Sequence, residues 1–397
     1  MQKIFLFLFA IICVCSDLHS QSRSIRNIPE AEDAIVGASR LELYLSDLQN
    51  KNVGVVANQT SIFNNTHLID TLLSEGVVIK KIFTPEHGFR GSADEGAVVN
   101  NSIDEKTQLP IISLYGNNKK PNSTQLEDID ILLFDLQDVG TRFYTYISTM
   151  TYIMEAAAEN NIPVIVLDRP NPNGFYIDGP VLEKENTSFV GLHQVPVVYG
   201  LTIGEYALMV NGEYWLKDSL QCDLKVVPLG NYDRKSIYRL TVKPSPNLPN
   251  WESVYLYPSL CFFEGTIVSV GRGTETPFQV YGHPDMNDDF SFTPRQAESR
   301  KEPLLCNKEC FGENLLDYAH NFKNNEKELN LTWIINAYNQ LKDNEKFFNN
   351  FFIKLAGTDN LRKQIIEGLS EDEIRASWKE DLEKYKKIRV KYLLYKD

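Results

Sequence analysis

Val77-Val78-Ile79-Lys80-Lys81-Ile82-Phe83-Thr84-Pro85-Glu86-His87-Gly88-Phe89-Arg90-Gly91 joins two unlike halves. The first half is a short apolar, β-branched run bounded by Gly76 and Pro85, which predicts a buried strand. The second sets a carboxylate, an imidazole and a guanidinium among glycines, residues that let the backbone turn sharply or approach a ligand closely. A turn in which Glu86 and Arg90 merely pair with each other is the competing reading.

Working outward, similar Val/Ile/Leu runs recur at 52–57, 110–115, 129–134, 163–167 and 224–229. Helical spacing or composition separates them at 41–48, 67–75, 143–159 and 202–216, the last opening on a Thr202/Glu205 capping box. This alternation predicts an α/β fold with a mostly parallel sheet covered by helices on both faces. In such sheets ligands bind beyond the carboxyl ends of the strands. Asn58, Glu86, Asp138 and the pair Asp168-Arg169 follow four of these runs, so one topology brings them to one edge. The proline-dense stretch 244–249 marks a junction. We read 21–240 as the catalytic domain and 241–397 as a smaller α/β domain completing a cleft, with a charged helix over 371–395.

The chain has 397 residues, 43% hydrophobic and 23% charged, with a formal net charge of -13. That is ordinary globular composition, and its acidic balance speaks against a nucleic-acid partner. Lys3 followed by a short apolar run at 4–14 reads as a signal peptide over 1–20, so the protein is expected to be exported, periplasmic or secreted. Lipid anchoring through Cys15 is the lesser alternative, and no later segment is apolar enough for a membrane span. Cys222, Cys261, Cys306 and Cys310 remain; Cys306 and Cys310 are close enough in sequence to pair, but connectivity is not legible.

No HExxH, P-loop, GxGxxG after the first strand or GxSxG occurs, so neither a metal nor any other cofactor is expected. Carboxylate chemistry is what is left. Glu86, Asp138, Asp168 and Glu264 are candidates for the proton donor and the nucleophile or base of glycoside hydrolysis. Arg90, Arg142, Arg169 and Arg272 suit an anionic substrate group, which guanidinium binds bidentately. Phe143, Tyr144 and Tyr146 offer a sugar a stacking face or, equally, belong to the core.

Several stretches taken together resemble a bacterial family once known only as a domain of unknown function, whose characterised members are exo-β-N-acetylmuramidases. They are 83–91, Leu109-Pro110-Ile111-Ile112-Ser113-Leu114-Tyr115-Gly116, Asp135-Leu136-Gln137-Asp138-Val139-Gly140-Thr141-Arg142-Phe143-Tyr144-Thr145-Tyr146, Asp168-Arg169-Pro170-Asn171-Pro172, Ser245-Pro246-Asn247-Leu248-Pro249, Phe263-Glu264-Gly265-Thr266 and 271–278. The resemblance implies a Rossmann-like N-terminal domain, a smaller C-terminal one and a cleft near their junction. It also implies release of N-acetylmuramic acid from the non-reducing ends of peptidoglycan fragments, with muropeptides or disaccharides as partners. Glu86 matches the family's candidate catalytic glutamate. The reading that follows makes Glu86 the general acid/base, with His87 tuning it and Asp138 or Asp168 stabilising the transition state or placing water. Asn58, Arg90, Arg142, Tyr144, Arg169, Asn171, Glu264 and Arg272 are the substrate-binding candidates. A muropeptide-binding protein without activity, and an exported hydrolase of another cell-wall bond, are the alternatives. The chain departs from the family pattern at Gly282-His283-Pro284-Asp285 and at Ala97.

Overall fold

The structure, a computed structural model, describes residues 34–85, 89, 102–235, 238–296, 301–322, 325, 327–343 and 346–397. Within them a seven-stranded sheet is formed by β1 (Asn52–Ala57), β2 (Val78–Thr84), β3 (Ser102–Ile103), β4 (Pro110–Ser113), β5 (Ile131–Asp135), β6 (Val164–Leu167) and β7 (Leu224–Val227). Its order is β3-β4-β2-β1-β5-β6-β7, with every neighbouring pair parallel except the β3–β4 edge. The chain runs outward from β1 to one edge and then returns to β5 on the other side of β1. That reversal opens a crevice at the carboxyl ends of β1 and β5.

The apolar runs are continuous because both faces of the sheet are covered. Val53, Val55, Ile131, Leu133, Ile165 and Leu167 point into one core, shared with Leu68, Ile69 and Leu72 of α1 (Leu68–Ser74). Val56, Leu132, Phe134, Val164 and Val166 point into the other, shared with Ile147, Met150 and Met154 of α2 (Tyr146–Glu159). The second core continues without a break into Leu256, Phe263, Tyr281, Phe352 and Trp378. The smaller domain therefore packs on the α2 face and shares its core. It contains an antiparallel three-stranded sheet, β8 (Val280–His283), β9 (Phe290–Phe292) and β10 (Cys310–Asn314), in the order β8-β10-β9, with helices around it.

Element bounds shift where side chains are claimed by other contacts. The expected helix at 143 begins at Tyr146 because Phe143 and Tyr144 lie in a turn, with the Tyr144 N–H donating to the Thr141 carbonyl. The expected helix over 41–48 is two short pieces, Leu41–Leu43 and Leu45–Leu48. The Thr202/Glu205 capping box is present at the start of α3 (Ile203–Gly212). The C-terminal helix α6 (Glu371–Arg389) stops short of 395. Its tail turns back to the sheet, where the Tyr395 hydroxyl donates to Asp168 at 2.6 Å and accepts from the Leu229 N–H at 2.7 Å. Cys222, Cys261, Cys306 and Cys310 are all free thiols. No helix among the described residues is long and apolar enough to cross a membrane.

Candidate active site

Two cavities lie on either side of the 240–249 stretch. The first, about 160 Å³, is lined by Phe143, Tyr144 and Tyr146 from the larger domain, by Ser245, Asn247 and Leu248 from the proline-dense junction, and by Tyr257, Cys261, Glu264, Arg272, Phe278 and Phe351 from the smaller domain. The second, about 270 Å³, lies beyond the ends of β1, β5 and β6 and is bordered by Thr60, Gln137 and Arg169. The wall between them is fastened at Pro244, whose carbonyl accepts the Gln59 side-chain amide at 3.2 Å and the Tyr144 hydroxyl at 2.8 Å. We take the smaller, interdomain cavity as the candidate active site, because aromatic faces and an acid–base pair meet there.

Its aromatic wall is fixed by edge contacts. Tyr144 meets Tyr146 at 4.8 Å between ring centroids, Phe143 meets Tyr257 at 5.4 Å, and Tyr257 meets Phe278 at 5.0 Å. Such edge-on packing locks the ring orientations, and the Tyr144 and Tyr146 hydroxyls are held in turn by the Pro244 carbonyl and the Asn58 amide. The charged pair comes from a short 3-10 segment, Cys261–Gly265, that continues α4 (Trp251–Leu260). Glu264 Oε1 accepts from Arg272 Nε at 2.5 Å, and Arg272 also lies over the Phe278 ring, 5.1 Å from its centroid. Arg272 is presented by a tight turn in which Gly271 and Gly273 have φ of +76° and +82°, a left-handed backbone that side chains rarely adopt. The Cys261 thiol, its pKa raised by burial and then by Glu264, faces Glu264 Oε2 at 3.8 Å.

The sequence-predicted residues divide sharply. Tyr144, Glu264 and Arg272 border the interdomain cavity, and Arg169 borders the larger one. Glu86, His87 and Arg90 lie outside the described residues, as does Ala97; the chain reaches them from Thr84 and Pro85 at the carboxyl end of β2. The others are consumed inside the protein. Asn58 is wholly buried; its amide donates to the Tyr146 hydroxyl at 2.7 Å and its carbonyl caps Thr60. Asn171 donates to the Leu201 carbonyl and accepts from the Asn173 N–H.

Arg142 corrects an expectation outright. It has no exposed surface, and its two terminal nitrogens donate to the carbonyls of Pro180, Val195, Leu355 and Ala356 at 2.7–2.9 Å. It clamps the two domains together, and no substrate carboxylate reaches it. Asp168 is likewise engaged at both oxygens, by the Arg169 and Gly204 N–H groups and by the Thr202 and Tyr395 hydroxyls. It anchors the start of α3 and the C-terminal tail, and it borders neither cavity. A direct catalytic contact is not available to it.

Asp138 is buried too, with the Gly140 N–H at 2.6 Å and the Tyr199 hydroxyl on Oδ2 and no partner on Oδ1 among the described residues. It also borders neither cavity. Burial pushes its carboxyl up to about 7, against the opposing pull of the Tyr199 hydroxyl. A carboxyl whose folded pKa is raised contributes stability below its unfolded value near 4, which is lost as pH rises through about 7. Asp138→Asn is therefore expected to flatten the fall in urea midpoint between pH 5 and pH 8 relative to wild type.

Sequence reasoning missed Tyr257, Phe278 and Phe351 as wall residues, and left Ser245, Asn247 and Gln137 out of the site. Ser245, Asn247, Gln137 and Phe278 stood inside the quoted motifs; Tyr257 and Phe351 carried no signal of their own. His283, one of the departures, ends β8 opposite Phe311 and lines neither cavity. Among the described residues no three His, Cys, Asp or Glu side chains form a set able to hold a metal ion.

Family models described as exo-β-N-acetylmuramidase NamZ, N-terminal and C-terminal, match residues 53–252 and 255–395. The chain belongs to the exo-β-N-acetylmuramidase family. It is 38% identical to the peptidoglycan β-N-acetylmuramidase NamZ of Bacillus subtilis (strain 168), over 98% of this chain and 97% of that protein. Crystal structures of two DUF1343 family proteins from Bacteroides fragilis superimpose on it. One has a TM-score of 0.84 at 47% identity, covering 92% of this chain and 99% of the other; the second has 0.78 at 30%, covering 91% and 99%. The seam between the two muramidase family models falls at α4, and the interdomain cavity draws its walls from both sides of it.

Proposed function

We propose that this protein is an exported exo-acting glycoside hydrolase that releases N-acetylmuramic acid from the non-reducing ends of peptidoglycan fragments. The observation that carries the reading is the interdomain cavity, where the two halves of the muramidase family fold join an aromatic wall to the Glu264–Arg272 pair. Family membership and the named Bacillus relative support the same reaction. Export rests on the apolar segment at 4–14, which lies outside the described residues. The two-domain division is read as 21–240 and 241–397 from the proline-dense junction, and the two family models divide the chain a little later, between 252 and 255.

In this mechanism Glu86 gives its proton to the glycosidic oxygen as the bond to the muramic acid C1 breaks, and His87 sets its orientation. The tyrosine and phenylalanine edges hold the sugar ring, and Glu264 is the described carboxylate facing the cavity where the oxocarbenium-like transition state forms. Arg272, braced by Glu264 and Phe278, recognises the lactyl carboxylate that distinguishes this sugar from N-acetylglucosamine. Arg272→Met is expected to raise KM for a chromogenic N-acetylmuramic acid glycoside by roughly 10–100-fold, the worth of a charge-assisted hydrogen-bond pair. Steady-state kinetics on that glycoside check it; an unchanged KM rejects Arg272 as the carboxylate's partner.

A further inference from the structure

We infer that the larger cavity, beyond the carboxyl ends of β1, β5 and β6, is a second substrate subsite that binds an amide-bearing group attached to the cleaved sugar. The inference rests on the proposed hydrolase reading and extends it to a region the chemistry at the interdomain cavity does not use.

Among the groups that line the cavity of about 270 Å³ are two deeply set side chains, Arg169 and Gln137, each with one polar atom left over by its partners among the described residues. Arg169 is 5% exposed. Its Nε and Nη2 are bound by Asp135 at 2.5 and 2.9 Å, while Nη1 meets no acceptor among the described residues. Gln137 is 4% exposed. Its Nε2 donates to the carbonyls of Asp138 and Pro170 at 2.8 and 2.7 Å. Two carbonyl partners fix which end of that amide is nitrogen, leaving Oε1 as an acceptor with no donor. Both atoms are left to hydrogen-bond to whatever occupies the cavity.

Asp135 already holds Nε and Nη2 of Arg169, which leaves Nη1 for one acceptor atom rather than for a bidentate carboxylate. A neutral group that accepts one hydrogen bond and donates one is an amide, its carbonyl toward Arg169 and its N–H toward Gln137. Ile62, Phe63 and Leu240 supply apolar wall for the carbon next to it.

The position suits a substrate that continues past the scissile sugar. The 240–249 stretch gives Leu240, Thr241 and Val242 to this cavity and Ser245, Asn247 and Leu248 to the interdomain one. From Val242 to Ser245 the backbone spans at most about 11 Å at roughly 3.8 Å per Cα step. A sugar or two to three peptide residues cover that distance. The amide therefore has two sources, the acetamido group of an adjoining amino sugar or the peptide stem on the lactyl group.

Thr241→Trp tests the subsite, because Thr241 is exposed, lines this cavity and not the interdomain one, and an indole there would take up the space a ligand needs. KM is measured for three substrates: a chromogenic N-acetylmuramic acid glycoside, N-acetylmuramyl-N-acetylglucosamine, and the same disaccharide carrying a peptide stem. The expected result is an unchanged KM on the glycoside and a rise of about tenfold or more on an extended substrate. A rise on both disaccharides assigns the acetamido group; a rise on the peptide form alone assigns the stem. Equal effects on all three, or none on any, overturn the subsite. If wild-type protein cleaves none of them, the hydrolase reading fails separately. Calorimetry of N-acetylglucosamine and of N-acetyl-L-alanyl-D-glutamate with wild type and Thr241→Trp then decides. Binding lost in the variant keeps the subsite, and absence of binding to wild type removes it.

Discussion

Glu86→Gln is expected to lower kcat for release of N-acetylmuramic acid by about 10²–10⁴-fold, the range by which positioned acid–base groups accelerate proton transfer. Glutamine keeps the shape of the side chain and removes the proton it donates. KM and the thermal midpoint are therefore expected to stay near wild type. The loss should shrink on glycosides with an acidic leaving group such as a nitrophenol, since a stable departing anion needs no proton. The competing reading of the same residues, a turn closed by a Glu86–Arg90 pair, makes the opposite forecast. Then kcat would hold within a few-fold and, at most, stability would fall slightly, because exposed ion pairs contribute little. Steady-state kinetics beside a melting curve separate the two.

Arg142→Met is expected to cost several kcal/mol of stability, because each buried carbonyl left without its donor costs about 1–3 kcal/mol. The side chain occupies the seam where the domains meet. Its loss leaves the carbonyls of Pro180, Val195, Leu355 and Ala356 without the donors they have now. Arg142→Lys should recover only part of the loss, because one ammonium cannot reach four carbonyls arranged in two pairs. Leu355 also borders the interdomain cavity, so residual folded variant is expected to bind substrate less well. Urea denaturation gives the answer, and a midpoint unchanged in the methionine variant would contradict the clamp.

What the sequence disclosed and what it withheld have a common physical origin. Strands buried on both faces advertise themselves, since Val53–Ala57 or Ile131–Phe134 have no other use for continuous apolar side chains. The parallel order then places strand ends at one edge, so the larger cavity beyond them was legible, while the interdomain cavity depends on how the second domain packs. Which strand-end polar groups face outward was not. Asn58, Asp138 and Asp168 have the composition of a site, yet tertiary partners close over them: Tyr146, Tyr199 and Tyr395 come from 61 or more residues away. Arg142 shows the same limit, for its carbonyl partners Leu355 and Ala356 lie beyond 200 residues along the chain. Glu264 and Arg272 were named from residue type and from the motifs that hold them, but their pairing, across eight residues and a glycine-flanked turn, was not read.

The central claim is tested most directly by incubating the purified protein with N-acetylmuramic acid-terminated peptidoglycan fragments and following the products by mass spectrometry. The account predicts free N-acetylmuramic acid together with a fragment shortened by that one terminal sugar, with the Glu86→Gln protein slower by about 10²–10⁴-fold. Cleavage of a peptide bond, release of internal fragments, or binding without any product would contradict it.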